Sequence, residues 1–177
     1  MRRALKRAAQ AFVAAGALGL VSPALAQSSA MAGKVQPTAT GSNKLTGTAM
    51  GDGGDFGKAL DGDLKTYFES QNGWVGLDLG APMVITEIRY SPRSDNTDTT
   101  ARMCKGEFQG ANDPGFTNAV TLFKVLGTKG GAGTPVLIPQ AIFNPTAFRY
   151  VRYRGPDGKS TIAEMEFYGY SGSSSSP

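Results

Sequence analysis

The stretch with the most chemistry in it runs from Lys58 to Phe68, KALDGDLKTYF. It sets Asp61, Gly62, Asp63 and Thr66 within six positions. Gly62 permits a tight turn, including one with positive φ. Such a turn aims carboxylates and backbone carbonyls at one point. Ca²⁺ takes six to eight hard oxygens of this mixed kind. The segment supplies several of them and not a full shell, and it lacks the spacing and terminal Glu of an EF-hand. Read alone, DGD also fits a solvated turn with no ion.

A second polar run, RSDNTDTTAR, extends from Arg93 to Arg102 between strand-like segments. Arg93, Asp95, Asn96 and Arg102 offer donors and acceptors for sugar hydroxyls. Sugar sites generally add an aromatic platform, and this run contains none. Phe116, in NDPGFTN, is the nearest ring that another loop offers. Arg93 and Arg102 equally fit a structural pairing with nearby acids.

Composition removes other chemistries. The chain has 177 residues, with 24 Gly, 10 Pro, one Cys and no His. A Cys/His zinc site and a Ser-His-Asp or Cys-His triad are therefore excluded. Glycosidase chemistry needs two carboxylates facing each other across a cleft. The acids here sit mostly in turns with nothing to pair them, so no enzymatic activity is expected.

Residues 1–26 read as a secretory leader. Arg2, Arg3, Lys6 and Arg7 precede a small, apolar run over 8–21, and Ala24-Leu25-Ala26 supplies a small-x-small cleavage pattern. The run is short for a membrane span. A bacterial periplasmic or secreted location is the expectation. The leader carries four of the 18 basic residues, which leaves 14 against 14 acids. A neutral mature chain is not expected to bind nucleic acid, which selects a basic face. Cys104 has no partner within the chain and is expected to be a buried small hydrophobe. If exposed in an oxidising compartment it is open to pairing between molecules.

The elements that must position these residues are strands. Residues 27–43 are a polar, flexible lead-in, and SGSSSSP at 171–177 is a matching tail. Between them, over 44–170, WVGLDL (74–79) alternates with Val75, Leu77 and Leu79 on one face, and Gly80-Ala81-Pro82 is expected to close it. MVITEIRY (83–90), VTLFKVL (120–126), a short run at 136–138, FRYVRYR (148–154) and IAEMEFY (162–168) are further strand candidates. No helical stripe persists for three turns. Short strands with Gly/Pro turns predict an all-β antiparallel two-sheet sandwich. Trp74 fits either a core residue or an exposed platform at a strand start, the Tyr67-Phe68 pair is expected to pack beside the 58–66 loop, and Tyr150, Val151 and Tyr153 read as packing residues. Arg149 differs in parity from Arg152 and Arg154, which argues against one basic stripe.

These segments, with GWVGLDLG (73–80), ITEIRYSPR (85–93), RMCKGEFQGAND (102–113), FRYVRYRGPDG (148–158) and AEMEFYG (163–169), resemble the discoidin-like, coagulation factor 5/8 type C domains and the related carbohydrate-binding module family 32. The resemblance runs from about Lys44 to Gly169. It implies a galactose-binding-domain-like jelly-roll β-sandwich, with Trp74 of GWVGLDLG as a core residue. It also implies a structural Ca²⁺ held by the carbonyl of Lys58 or Ala59, the Asp61 carboxylate, the Asp63 carbonyl, Thr66, the Ala163 carbonyl and the Glu164 carboxylate. Relatives of this kind meet glycans or phospholipids with loops at one end of the sandwich. The loops here lack the apolar spikes and basic rim of the lipid-binding version. The expected partner is therefore a glycan or cell-surface polysaccharide, bound by a secreted, lectin-like domain. The alternative is an adhesion or protein-interaction module that has kept the fold without the sugar site.

Overall fold

The computed structural model describes residues 41–95, 102–127, 135–156 and 159–171. Ten strands carry the fold: β1 (Asn43–Lys44), β2 (Thr48–Asp52), β3 (Phe68–Ser70), β4 (Trp74–Ser91), β5 (Glu107–Ala111), β6 (Val120–Lys124), β7 (Ile138–Ala141), β8 (Ala147–Arg154), β9 (Ser160–Ile162) and β10 (Glu164–Ser171). A single 3-10 turn, Phe56–Ala59, precedes the DGD segment. Every pairing among these strands is antiparallel.

The architecture is a β-sandwich, and β4 belongs to both of its layers. Its first half lies between β2 and β8, and β8 continues to β5 and β6. Its second half lies between β10 and β7, with β1 on the far side of β10. A short two-stranded sheet, β3 with β9, lies beside them.

Gly80-Ala81-Pro82 does not end the strand, contrary to the reading above. The chain stays extended through it, and the β4–β8 register slips between Asp78 and Met83. No pairing with β8 falls on Pro82, so its missing N–H costs no ladder bond. The 162–168 run is likewise divided: Ile162 ends β9, and β10 starts at Glu164.

The core forms where the alternating faces of the two layers meet. Val75, Val151 and Tyr153 come from one layer, and Ile85, Ile88, Met165 and Phe167 from the other. Phe108 bridges them, with its ring centroid 5.1 Å from Tyr153 and 6.3 Å from Phe167. Each such fully buried side chain contributes roughly 1.5–3 kcal/mol of transfer free energy. Phe68 is buried as expected. Trp74 is not part of this core. It is half-buried on the outer face of β4, against a separate small cluster of Ala111, Phe116 and Tyr150. Cys104 is also only half-buried, with its Sγ 3.5 Å from the Leu126 carbonyl oxygen.

Candidate functional site

The DGD segment follows the 3-10 turn and folds on itself. Gly62 takes φ +80, which the absence of a Cβ makes inexpensive. The Asp63 N–H donates to Asp61 Oδ1 at 2.9 Å, and the Lys65 N–H donates to Asp63 Oδ1 at 2.9 Å. Oxygens then converge on one hydroxyl. Thr66 Oγ1 lies 3.1 Å from the Lys58 carbonyl, 3.0 and 2.8 Å from the two Asp61 carboxylate oxygens, and 3.0 Å from the Asp63 carbonyl. A hydroxyl has one proton to donate; Asp61 Oδ1 and the Asp63 carbonyl also accept the Asp63 and Thr66 N–H groups, and the hydroxyl stays within reach of the Lys58 carbonyl and Asp61 Oδ2. Of the two carbonyls considered, that of Lys58 faces Thr66, while Ala59 is buried under the turn.

Glu164 closes the group from 102 positions away, where its Oε2 accepts the Gly62 N–H at 2.9 Å. It is 1% exposed, and no side-chain cation is within ion-pair distance among the described residues. Burial pushes its carboxyl up to about 7, with the Asp61 charge adding to the rise and the Gly62 N–H opposing it. Lys44, the nearest cation, is held by Glu166 at 2.6 Å. Ala163 is buried in the bend between β9 and β10, and its N–H donates to the Ser91 carbonyl. Among the described residues no three His, Cys, Asp or Glu side chains gather in one place. The donor set is carbonyl, hydroxyl and two carboxylates, which suits a hard cation and not a soft one.

Beside this loop lies a pocket of about 260 Å³, lined by Leu64, Lys65, Tyr67, Arg93, Asp95 and Pro135, with Thr66, Ser94 and Ala163. Arg93 forms its polar wall. The guanidinium grips Asp95 in a two-pronged contact, Nε to Oδ1 at 2.7 Å and Nη2 to Oδ2 at 2.6 Å. Nη1 donates to Glu69 Oε2 at 2.7 Å, and the guanidinium carbon sits 3.7 Å from the Tyr67 ring centroid. Arg102 meets the other oxygen of Glu69. One carboxylate on β3 thus ties down both ends of the 93–102 run.

Several sequence expectations meet here and others do not. Arg93 and Asp95 line the pocket. Arg102 supports it through Glu69 and does not line it. Asn96 lies outside the described residues. Phe116 is placed elsewhere: it is 5% exposed and packs with its centroid 5.3 Å from that of Trp74, on the outer face of the sheet. Tyr67 is the residue that sequence reasoning missed, because it was assigned to packing. Both carboxylates near the pocket are committed, Asp95 to Arg93 and Glu69 to Arg93 and Arg102. Neither is poised as a general acid or base.

Residues 38–167 match the family model for the F5/8 type C domain. Among solved structures, the chain is similar to CBM62 from Clostridium thermocellum Xyl5A, with 45% identity and a TM-score of 0.65, over 72% of this chain and 97% of that one. It shares its fold with a fucolectin from striped bass (Morone saxatilis) serum, at 20% identity and TM-score 0.62, over 76% of this chain and 52% of that one. It also shares it with the family 32 CBM of C. perfringens NanJ, solved in complex with galactose, at 16% identity and TM-score 0.52, over 68% and 92%. A comparison with curated proteins found no match. With residues 38–167 matched by the family model and a 45% identical relative sharing the sandwich, the chain belongs to the F5/8 type C domain family.

Proposed function

We propose that this protein is a secreted, non-catalytic carbohydrate-binding domain that takes a sugar in the pocket walled by Tyr67, Arg93 and Asp95. The observation that carries this reading is the Arg93–Asp95 pair at the wall of a pocket in a chain 45% identical to a carbohydrate-binding module. A guanidinium and a carboxylate side by side present donors next to acceptors. That is the complement of two neighbouring sugar hydroxyls. Tyr67 holds the guanidinium flat through a cation–π contact, so the polar wall is fixed before the sugar arrives.

The oxygen group at Lys58, Asp61, Asp63, Thr66 and Glu164, with the Ala163 carbonyl, fits a structural Ca²⁺. When bound, the ion would neutralise two carboxylates and tie the 58–66 segment to the start of β10. Thr66 and Ala163 also line the pocket, so the ion steadies one of its walls without touching the sugar. The leader at 1–26 supports export with cleavage after Ala26, which N-terminal sequencing of the exported protein checks.

The test is binding to immobilised galactose-containing and other neutral glycans in saturating Ca²⁺. Saturable binding that free sugar competes away, and that Arg93→Ala weakens about tenfold or more in a folded protein, is expected. Binding that survives Arg93→Ala unchanged, or none across the panel, overturns the pocket reading and favours the protein-interaction module.

A further inference from the structure

The outer face of the sheet carries a cation of unusual setting. Arg89, Arg93, Arg102 and Arg149 each meet a carboxylate: Glu87, Asp95 with Glu69, Glu69, and Asp78 respectively. Arg152 meets none among the described residues. Its guanidinium carbon lies 4.1 Å from the Phe116 ring centroid and 5.4 Å from that of Trp74. Nε donates to Gln109 Oε1 at 2.8 Å, and neither terminal nitrogen has a hydrogen-bond partner among the described residues. Gln109 is fixed in turn, because its Nε2 donates to Glu107 Oε2 at 3.0 Å.

The fold builds this place deliberately at several positions. Register sets Trp74 opposite Arg154, Gly76 opposite Arg152, and Arg152 opposite Gln109, so all share one face. A Cβ on Gly76 would fall 2.3 Å from the Val151 carbonyl oxygen and 2.9 Å from the Arg152 Cβ, so the close approach of the β8 backbone requires glycine there. Phe116 reaches the face from a loop turn at φ 55, a left-handed conformation that costs on the order of 1–2 kcal/mol for a non-glycine residue. Burial pushes the Arg152 guanidinium down from its ordinary value, and the Arg154 charge adds to this while Asp113 opposes it. A half-desolvated cation held by rings and an amide, with its terminal N–H groups unmatched, lacks an anionic counterpart.

We propose that Trp74, Arg152 and Gln109 form a second saccharide site, on the outer sheet face, that takes an acidic sugar. The hexuronate carboxylate pairs with the terminal N–H groups of Arg152, and the sugar ring lies against the half-buried indole of Trp74. None of these residues lines the pocket at Arg93, so the site stands whether or not that pocket binds a sugar.

Trp74 is the only tryptophan, so intrinsic fluorescence reads this site directly. Titration with trigalacturonate should give a saturable change in emission that neutral galactotriose does not give. The change should persist in Arg93→Ala and weaken at least about tenfold in Arg152→Gln, as expected for loss of a charged hydrogen bond. Raising ionic strength from about 0.05 to about 0.5 M should weaken it in the unmodified protein, a readout that needs no variant to fold. No change with trigalacturonate, an equal change with the neutral sugar, or a response indifferent to salt overturns the proposal. So does a response that Arg93→Ala abolishes, which assigns the acidic sugar to the pocket.

Discussion

Two regions of the molecule hold charge in opposite ways. At the DGD loop a buried acid, Glu164, accepts the Gly62 N–H and feels the Asp61 charge, with no side-chain cation in ion-pair contact among the described residues. On the outer sheet face a half-buried cation, Arg152, lies between rings with no carboxylate in contact. The surroundings decide what each can accept. The acid is buried beside a turn whose oxygens gather around Thr66, a donor set of the hard kind. The guanidinium presents a planar edge beside an indole, a geometry for a flat anion attached to something larger. The first links the 61–63 turn to β10 through the Gly62–Glu164 hydrogen bond, whereas the second lies on the outer face of the sheet.

The largest separation between the two regions is expected in thermal stability. Protein stripped with EDTA should gain on the order of 4 kcal/mol when Ca²⁺ is restored at a thousandfold excess over its Kd. That is a Tm rise of roughly 10 °C. Asp61→Ala should abolish the rise, and calorimetry that finds none in the unmodified protein removes the ion from the comparison. An intermediate effect is expected at Phe116. Phe116→Ala should cost about 3 kcal/mol in urea unfolding, because a nearly buried ring is lost. It should also shift Trp74 emission while leaving the Ca²⁺-dependent gain intact. Loss of that gain would show the regions to be coupled.

The smallest effect belongs to Glu107, which orients Gln109 beside Arg152. Its hydrogen bond to Lys124, with further bonds from Gln109 and Thr121, holds its carboxyl below the ordinary value of 4.5, against a desolvation effect in the other direction. Its folded value is thus lower than its unfolded one. The stability it adds is present above about 4.5 and is lost as pH falls through the lower folded value. The group is partly exposed, so the contribution is about 0.5 kcal/mol. Glu107→Gln should flatten the pH dependence of unfolding below that range by this amount. An unchanged acid limb would release Gln109, and with it Arg152, from this support.

The local part of the 58–66 loop was legible because Asp61, Gly62, Asp63 and Thr66 are neighbours in sequence and chemistry alone suggests their convergence. Glu164 was not legible from spacing, since a separation of 102 residues carries no pattern. Only the resemblance to factor 5/8 type C domains supplied it. The alternation of Val75, Leu77 and Leu79 leaves Trp74 open as core residue or platform, and it is the resemblance that favours the core. What covers the indole is a loop ring, Phe116, whose left-handed backbone no propensity anticipates. Tyr67 was hidden for a related reason. Its role comes from a guanidinium laid across its ring by the segment that follows β4, 26 positions away in the chain. β2, β3 and β5 are short or glycine-interrupted (TAMGD, FES, EFQGA) and offer too little alternation to read. Gly80-Ala81-Pro82 misled because a proline ends a strand only where its N–H is needed, and the register slip removes that need.

That slip has a consequence for how the domain comes apart. β4 spans 18 residues and pairs with β2, β8, β10 and β7 in turn. Neither layer can open without loosening the strand that the other also uses. Partial melting that spares half the sandwich therefore has no cheap route. Backbone amides near Val75 and near Ile88, on opposite sides of the slip, should exchange with solvent at a common rate set by global unfolding.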